Sequence, residues 1–121
     1  MEQLEETVRT ARQEAQIMPL GHPDRAVRLN DLENKLEQLY QYTQKAEDLD
    51  EAIHNSRQAV QLSSKDHLDL ERMLYNLGQR LELRYNRIGK MDDLDEAISA
   101  SRQATQITPI DRPAQVWMLN T

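Results

Sequence analysis

Apolar and small residues recur along this chain at steps of three and four, the spacing of one face of an α-helix. In 48–63 these positions are Leu49, Ala52, Ile53, Ser56, Ala59, Val60 and Ser63. In 69–88 they are Leu70, Met73, Leu74, Leu77, Leu81, Tyr85 and Ile88. No stretch of useful length alternates apolar and polar residues as a strand would. The pattern predicts five helices and the start of a sixth, over 2–17, 24–43, 48–63, 68–88, 93–108 and from about 113.

Residues with strong positional preferences mark the ends of these predicted helices. Asp48 and Asp93 stand where an N-cap residue would, and Glu51 and Glu96 follow each of them by three residues. That spacing is typical of a capping box, in which the two side chains satisfy backbone amides of the first turn. Gly89 follows the fourth helix and is predicted to end it in a left-handed conformation.

A repeat of 45 residues organises the sequence. DLDEAI occurs at 48–53 and again at 93–98, and 11 of the 15 positions in 48–62 are identical in 93–107. A weaker copy lies one period earlier, in 4–13. A fixed period of this size indicates stacked repeats that share one continuous core. We therefore predict one repeat segment, 1–121, with a half unit at 1–17, full units at 24–63 and 68–108, and a partial unit at 113–121.

The order of key residues resembles the tetratricopeptide repeat (TPR). The residues that carry the likeness are Leu77, Gly78 and Leu81, then Ala97, Ser101, Ala104 and Pro109. The period of that family is 34 residues, and the extra residues here fall in the longer first helix and the joints. The chain is closer to the long TPR-like repeats abundant in fungal proteins, which carry DLDEAI, a GHPDR joint (21–25) and a motif like LYNLG (74–78). The resemblance implies an all-α fold of antiparallel helix hairpins stacked in a right-handed superhelix, an α-solenoid.

One position departs from the family pattern in the first full unit. Glu33 stands where the second unit has Gly78. A glycine at this position allows two helices to approach closely, whereas a glutamate needs more room. If two helices meet closely at this position, we expect Gly78→Leu to be harmful.

Composition narrows the range of partners and compartments. The formal charge is −6 and the isoelectric point is about 5.0, so the chain lacks the basic surface that attracts nucleic acids and anionic membranes. It has no cysteine, no apolar signal-peptide core and no apolar run of membrane-spanning length. We expect a soluble cytoplasmic protein that binds neither nucleic acid nor membrane.

The sequence offers no set of residues suited to catalysis or to a cofactor. His22 and His67 are one period apart, but two histidines with scattered carboxylates do not define a metal site. Neighbouring carboxylates such as Asp92 and Asp93 suit the positive end of a helix without acid–base chemistry. No nucleophile motif or glycine-rich phosphate loop is present. We expect no metal, no cofactor and no enzymatic activity.

The resemblance also implies a candidate binding surface. In related arrays, side chains of the first helix of each unit line a concave groove. Carried onto this chain, the candidates are Asn30, Asn34, Gln38, Arg72, Tyr75, Asn76, Gln79, Leu83 and Trp117. Asparagine and glutamine can pair with both backbone groups of an extended peptide, and tyrosine and tryptophan offer flat apolar contact. A solvated polar helix face is the alternative interpretation of the same residues.

These observations favour a non-catalytic scaffold that binds a protein or peptide through its concave face. The alternative is a fragment of the regulatory array of a larger signalling protein, since similar fungal arrays are joined to CHAT proteases or nucleotide-binding domains. The apolar residues at 116–119 also predict self-association through the terminal helices, because an uncovered apolar patch favours contact with another molecule.

Overall fold

The computed structural model describes residues 2–19, 21–22, 24–63 and 68–107. Within these ranges the chain is helical and contains no strand. The five helices are α1 (Glu2–Ile17), α2 (Arg25–Thr43), α3 (Ala46–Leu62), α4 (Leu68–Ile88) and α5 (Met91–Ile107). The all-α prediction is confirmed for this part of the chain.

The predicted helix boundaries agree closely with the observed ones. The bounds of α1 and α4 are as predicted, and α2 begins one residue later than predicted. Helices α3 and α5 begin two residues and end one residue earlier than predicted. The sixth helix, predicted from about 113, lies outside the described residues.

The 45-residue period reappears in the backbone. Both bounds of α5 lie 45 residues beyond those of α3, and the last residues of α2 and α4, Thr43 and Ile88, are also 45 apart. The chain divides into two compact units, Met1–Leu62 and Ser63–Thr121. In the first unit α1 packs on α2 and α2 packs on α3, and in the second α4 packs on α5. This packing of helices adjacent in sequence is what a helical repeat produces.

The α2–α3 and α4–α5 hairpins each turn through a joint of two residues, Gln44–Lys45 and Gly89–Lys90. Gln44 and Gly89 have positive φ angles, 56° and 71°. Each donates its backbone amide over 2.7 Å to the carbonyl four residues earlier, on Tyr40 or Tyr85. Such a left-handed residue satisfies a free carbonyl at a helix end and reverses the chain. The predicted role of Gly89 is confirmed, and Gln44 plays the same role without being glycine.

The predicted N-caps are wrong. Because the joint needs only two residues, α3 and α5 begin before Asp48 and Asp93, which lie inside the first helical turn. Their carboxylates bind the preceding helix instead. Asp48 accepts a hydrogen bond of 2.7 Å from the Thr43 hydroxyl, and Asp93 accepts two, of 3.0 and 2.8 Å, from Arg84.

Large apolar side chains of the two longer helices contribute to each core. In α2, Leu29, Leu32 and Leu36 are buried, and in α4, Met73, Leu74, Leu77 and Leu81 are buried. Their steps of three and four match the predicted apolar face. Full burial of such a side chain stabilises the fold by about 1.5–3 kcal/mol.

The 45-residue repeat aligns the three shorter helices, α1, α3 and α5, and these helices bury different faces. We call two neighbouring sets of equivalent positions row one and row two. Row one contains Val8, Ala11 and Ala15 in α1, Ile53, Ser56 and Val60 in α3, and Ile98, Ser101 and Thr105 in α5. Row two contains Thr7, Thr10 and Glu14, then Ala52, Asn55 and Ala59, then Ala97, Ala100 and Ala104. In α1, row one is buried and row two is exposed. In α5, row two is buried while Ile98 and Ser101 are exposed, and in α3 both rows are largely buried.

Helix α5 lies close to Gly78. A methyl group at this position would lie 3.5 Å from the carbonyl oxygen of Ala97 and 3.5 Å from the Ser101 hydroxyl. Those are ordinary contact distances, so an alanine fits at this position. The matching residue Glu33 is fully buried, so the first hairpin encloses a long side chain at the same position.

Candidate functional site

The predicted binding residues of the first unit share one face of α2. Asn30, Asn34 and Gln38 follow one another at steps of four residues and form what we call the α2 stripe. Asn34 and Gln38 are exposed, and Asn30 is half-buried. The other side of the helix carries the core leucines, so the packing of α2 turns this stripe outward.

The corresponding face of α4 is more apolar. Arg72, Tyr75, Gln79 and Leu83 are all exposed and form the α4 stripe, with the half-buried Asn76 beside it. Tyr75 keeps 59% of its surface exposed. Gln79 donates a hydrogen bond of 3.1 Å from its side-chain amide to the Tyr75 hydroxyl, which holds the phenol along the helix. Trp117, the remaining predicted site residue, lies outside the described residues.

The two stripes correspond position by position but differ in chemistry. Asn30, Asn34 and Gln38 are each 45 residues before Tyr75, Gln79 and Leu83. The α2 stripe therefore offers three amide side chains, each a donor and an acceptor. At these three positions the α4 stripe offers an aromatic ring, one amide and an aliphatic side chain, and Arg72 adds a cation. Each stripe is continuous along its own helix, and such a surface can contact an extended chain through both polar and apolar groups.

A charged cleft in the first unit was not predicted from the sequence. It has a volume of about 210 Å³, and the charged residues that line it are Glu5, Arg9, Arg12, Lys45 and Asp48. Arg12 donates two hydrogen bonds of 2.8 Å to the Glu51 carboxylate. These bonds raise the pKa of Arg12 above its ordinary value, and the charges of Glu51 and Asp48 add to the effect, while partial burial opposes it.

Arg12, one of the cations that line this cleft, forms a structural link through its pair with Glu51. It connects α1 to α3, although the two residues are 39 positions apart. Both side chains are more than 30% exposed, so solvent screening limits the contribution to about 1 kcal/mol or less. Because the two residues lie on different helices, no regular spacing in the sequence connects them. The pair therefore could not be predicted from the sequence.

The histidines make local contacts. His22 accepts a hydrogen bond of 3.0 Å at Nδ1 from the backbone amide of Asp24, and His54 lies 3.2 Å from the side-chain amide of Gln58. His67 lies outside the described residues. Within the ranges described, no three histidine, cysteine or carboxylate side chains are grouped so that they could hold a metal ion.

None of the described helices combines the length and the apolar composition needed to cross a membrane. Comparison with protein-family models, curated proteins and solved structures finds no match. The likeness to TPR-like repeats therefore rests on the motifs and the period of the chain itself.

Proposed function

We propose that this chain is a non-catalytic helical-repeat scaffold that binds a protein or an extended peptide along the α2 and α4 stripes. The α4 stripe is the observation that supports this most directly. Tyr75 and Leu83 are exposed on a helix whose other side already supplies the core with five buried apolar side chains. The proposal includes the right-handed TPR-like superhelix implied by the resemblance, in which first helices line a concave surface.

The chemistry of the stripes suits a peptide backbone. The amides of Asn34, Gln38 and Gln79 can each donate to a peptide carbonyl and accept from a peptide N–H. Tyr75 provides a flat apolar surface, and few rotamers are lost when it is covered. Aromatic anchors of this kind carry much of the affinity of protein interfaces. Binding would therefore depend on a few apolar anchors, while the amides set the direction and register of the peptide.

The test uses a displayed library of random linear peptides selected on the full chain. Affinities of the selected peptides are then measured by fluorescence polarisation for wild type, Tyr75→Ala and Leu83→Ala. We expect each substitution to weaken binding about tenfold or more, which corresponds to about 1.4 kcal/mol. Backbone amide shifts in NMR spectra should move mainly along α2 and α4.

Ile88→Ala is the matched control. Ile88 is an exposed aliphatic residue at the end of α4, on the other side of the helix from the stripe. Its removal should leave peptide affinity unchanged. Peptides that bind equally well to wild type, Tyr75→Ala and Leu83→Ala would show that the stripes are solvated helix faces and would reject the proposal.

A further inference from the structure

A second exposed stripe runs along α5, on the side facing away from the row packed on α4. Met91, Asp95, Ile98 and Arg102 follow at steps of four, three and four residues, so they share one helical face. All four are exposed. We call this surface the α5 stripe. It combines two apolar side chains with one anion and one cation.

The centre of the α5 stripe is a position that the other copies of the repeat bury. Ile98 is 42% exposed, whereas the matching Ile53 is 0% and Val8 is 2% exposed. Covering an isoleucine removes apolar surface from water, which favours association. Within the described part of the chain, Ile98 is therefore the one copy of this position that still presents a substantial apolar surface.

The two charges of the stripe lie on opposite sides of Ile98 along the helix. Asp95 precedes it by three residues and Arg102 follows it by four. Neither forms an ion pair or hydrogen bond with a described residue. The equivalent of Arg102 in α1 is Arg12, which is held by two hydrogen bonds to Glu51.

We propose that the α5 stripe binds a second copy of the chain, with the two α5 helices crossing antiparallel at Ile98. With a rise of 1.5 Å per residue, Asp95 lies about 4.5 Å to one side of Ile98 and Arg102 about 6 Å to the other. An antiparallel crossing places Asp95 of one copy opposite Arg102 of the other. Two-fold symmetry then forms the same ion pair twice, on either side of an Ile98–Ile98 contact.

Charge complementarity favours a second copy of the chain as the partner that binds the α5 stripe. Two chains that each carry a charge of −6 repel one another, so contact needs a local surface where opposite charges meet. The α5 stripe is such a surface only in the antiparallel arrangement, because a parallel one would oppose like charges. A single helix pair forms a small interface, so the dimer is transient and weakens as salt concentration rises. This contact uses neither the α2 nor the α4 stripe and is independent of peptide binding.

The test is charge reversal followed by mixing. Asp95→Arg and Arg102→Asp are prepared separately in the full chain, and sedimentation equilibrium is measured from roughly 10 μM to 1 mM, a range that reaches weak associations. Each variant alone brings like charges together twice, so its association constant should fall at least tenfold below wild type. An equimolar mixture of the two restores opposite charges at both ends of the crossing. The mixture should therefore recover association as a heterodimer.

Asp92→Arg is the matched control, because it makes the same charge change on the same helix but off the stripe. Its association should remain within about twofold of the wild-type value. Thermal melting checks that every variant is folded. A wild-type chain that stays monomeric throughout the series overturns the proposal. So do single reversals that associate like wild type, which would place the contact elsewhere, or a mixture that fails to recover association.

Discussion

The α2–α3 and α4–α5 hairpins share a backbone but not a set of side-chain contacts. Each turns through a left-handed residue, Gln44 or Gly89, whose amide binds the carbonyl four residues earlier over 2.7 Å. In each hairpin the second helix begins two residues after that left-handed residue. Beyond the joints the hairpins differ. This shows that the repeat preserves the path of the chain more strictly than the interactions that stabilise it.

The aspartates after the joints show the difference most clearly. Asp48 accepts one hydrogen bond from the Thr43 hydroxyl, whereas Asp93 accepts two from Arg84. The position of Arg84 is taken in the first hairpin by the buried Leu39. One hairpin therefore fills this place with an aliphatic side chain and the other with an ion pair whose carboxylate is only 3% exposed.

The largest predicted effect breaks this ion pair. Asp93→Ala should destabilise the chain by about 3–5 kcal/mol, because the largely buried guanidinium of Arg84 loses the carboxylate that compensates its charge. The matching Asp48→Ala should lower stability by only about 1 kcal/mol, the usual value for one hydrogen bond. Urea unfolding followed by circular dichroism measures both.

A double variant gives the first prediction its control. Arg84→Leu combined with Asp93→Ala gives the second hairpin the aliphatic residue that the first one has. It should be more stable than Asp93→Ala alone, since a well-packed apolar group can replace a buried pair without loss. Equal losses for Asp48→Ala and Asp93→Ala would show that the two joints are energetically alike, contrary to the comparison.

The second prediction substitutes the left-handed residue of each joint. Gly89→Ala should destabilise by about 1–2 kcal/mol, because a side chain is strained at a φ angle of 71°. Gln44→Gly should instead stabilise by up to about 1 kcal/mol, since it relieves the same strain at the cost of a more flexible unfolded chain. Thermal and urea unfolding report the sign of each change.

Gly21→Ala is the control for the joint variants. Gly21 has neither a positive φ angle nor any heavy atom within 4 Å of an added methyl group. A surface change of this kind should stay within about 0.5 kcal/mol. If Gln44→Gly proves destabilising, the weak hydrogen bonds of the Gln44 side chain to Tyr40 and Gln41 outweigh its backbone strain.

The smallest predicted effect concerns the middle of α4. Gly78→Ala should stabilise the chain by about 0.5–1 kcal/mol, because alanine favours the helix and its methyl group has contacts no shorter than 3.5 Å. Gly78→Leu should be destabilising by about 1–3 kcal/mol, since its further atoms have to displace α5. A loss of stability with alanine would mean that the two helices lie closer than these distances indicate.

The features that followed from the sequence are those set by local spacing. Apolar steps of three and four fixed the five described helices, and the 45-residue period placed their joints. The α2 and α4 stripes came instead from the resemblance to TPR-like repeats, and their binding role stays a prediction. Gly89 was recognisable because few residues other than glycine adopt its conformation readily.

The features that did not follow depend on contacts between helices. Asp93 looks like an N-cap in the sequence, and only the structure shows Arg84 beside it across the joint. The Arg12–Glu51 pair requires α1 to lie next to α3, which no motif states. Glu33 is polar and long, yet it is buried, against the ordinary preference of glutamate for the surface. Each case is decided by packing between elements rather than by sequence within one.

The two-residue joints also bear on how the chain folds. Helices α3 and α5 match at 11 of the 15 positions in 48–62 and 93–107, so side chains alone discriminate poorly between them as partners for a longer helix. Closing a short loop loses much less chain entropy than closing a long one. Each longer helix therefore meets the helix that directly follows it first, and folding proceeds through hairpins of low contact order. Lengthening the joint at Gln44–Lys45 would remove that kinetic advantage and give mispaired helices time to form.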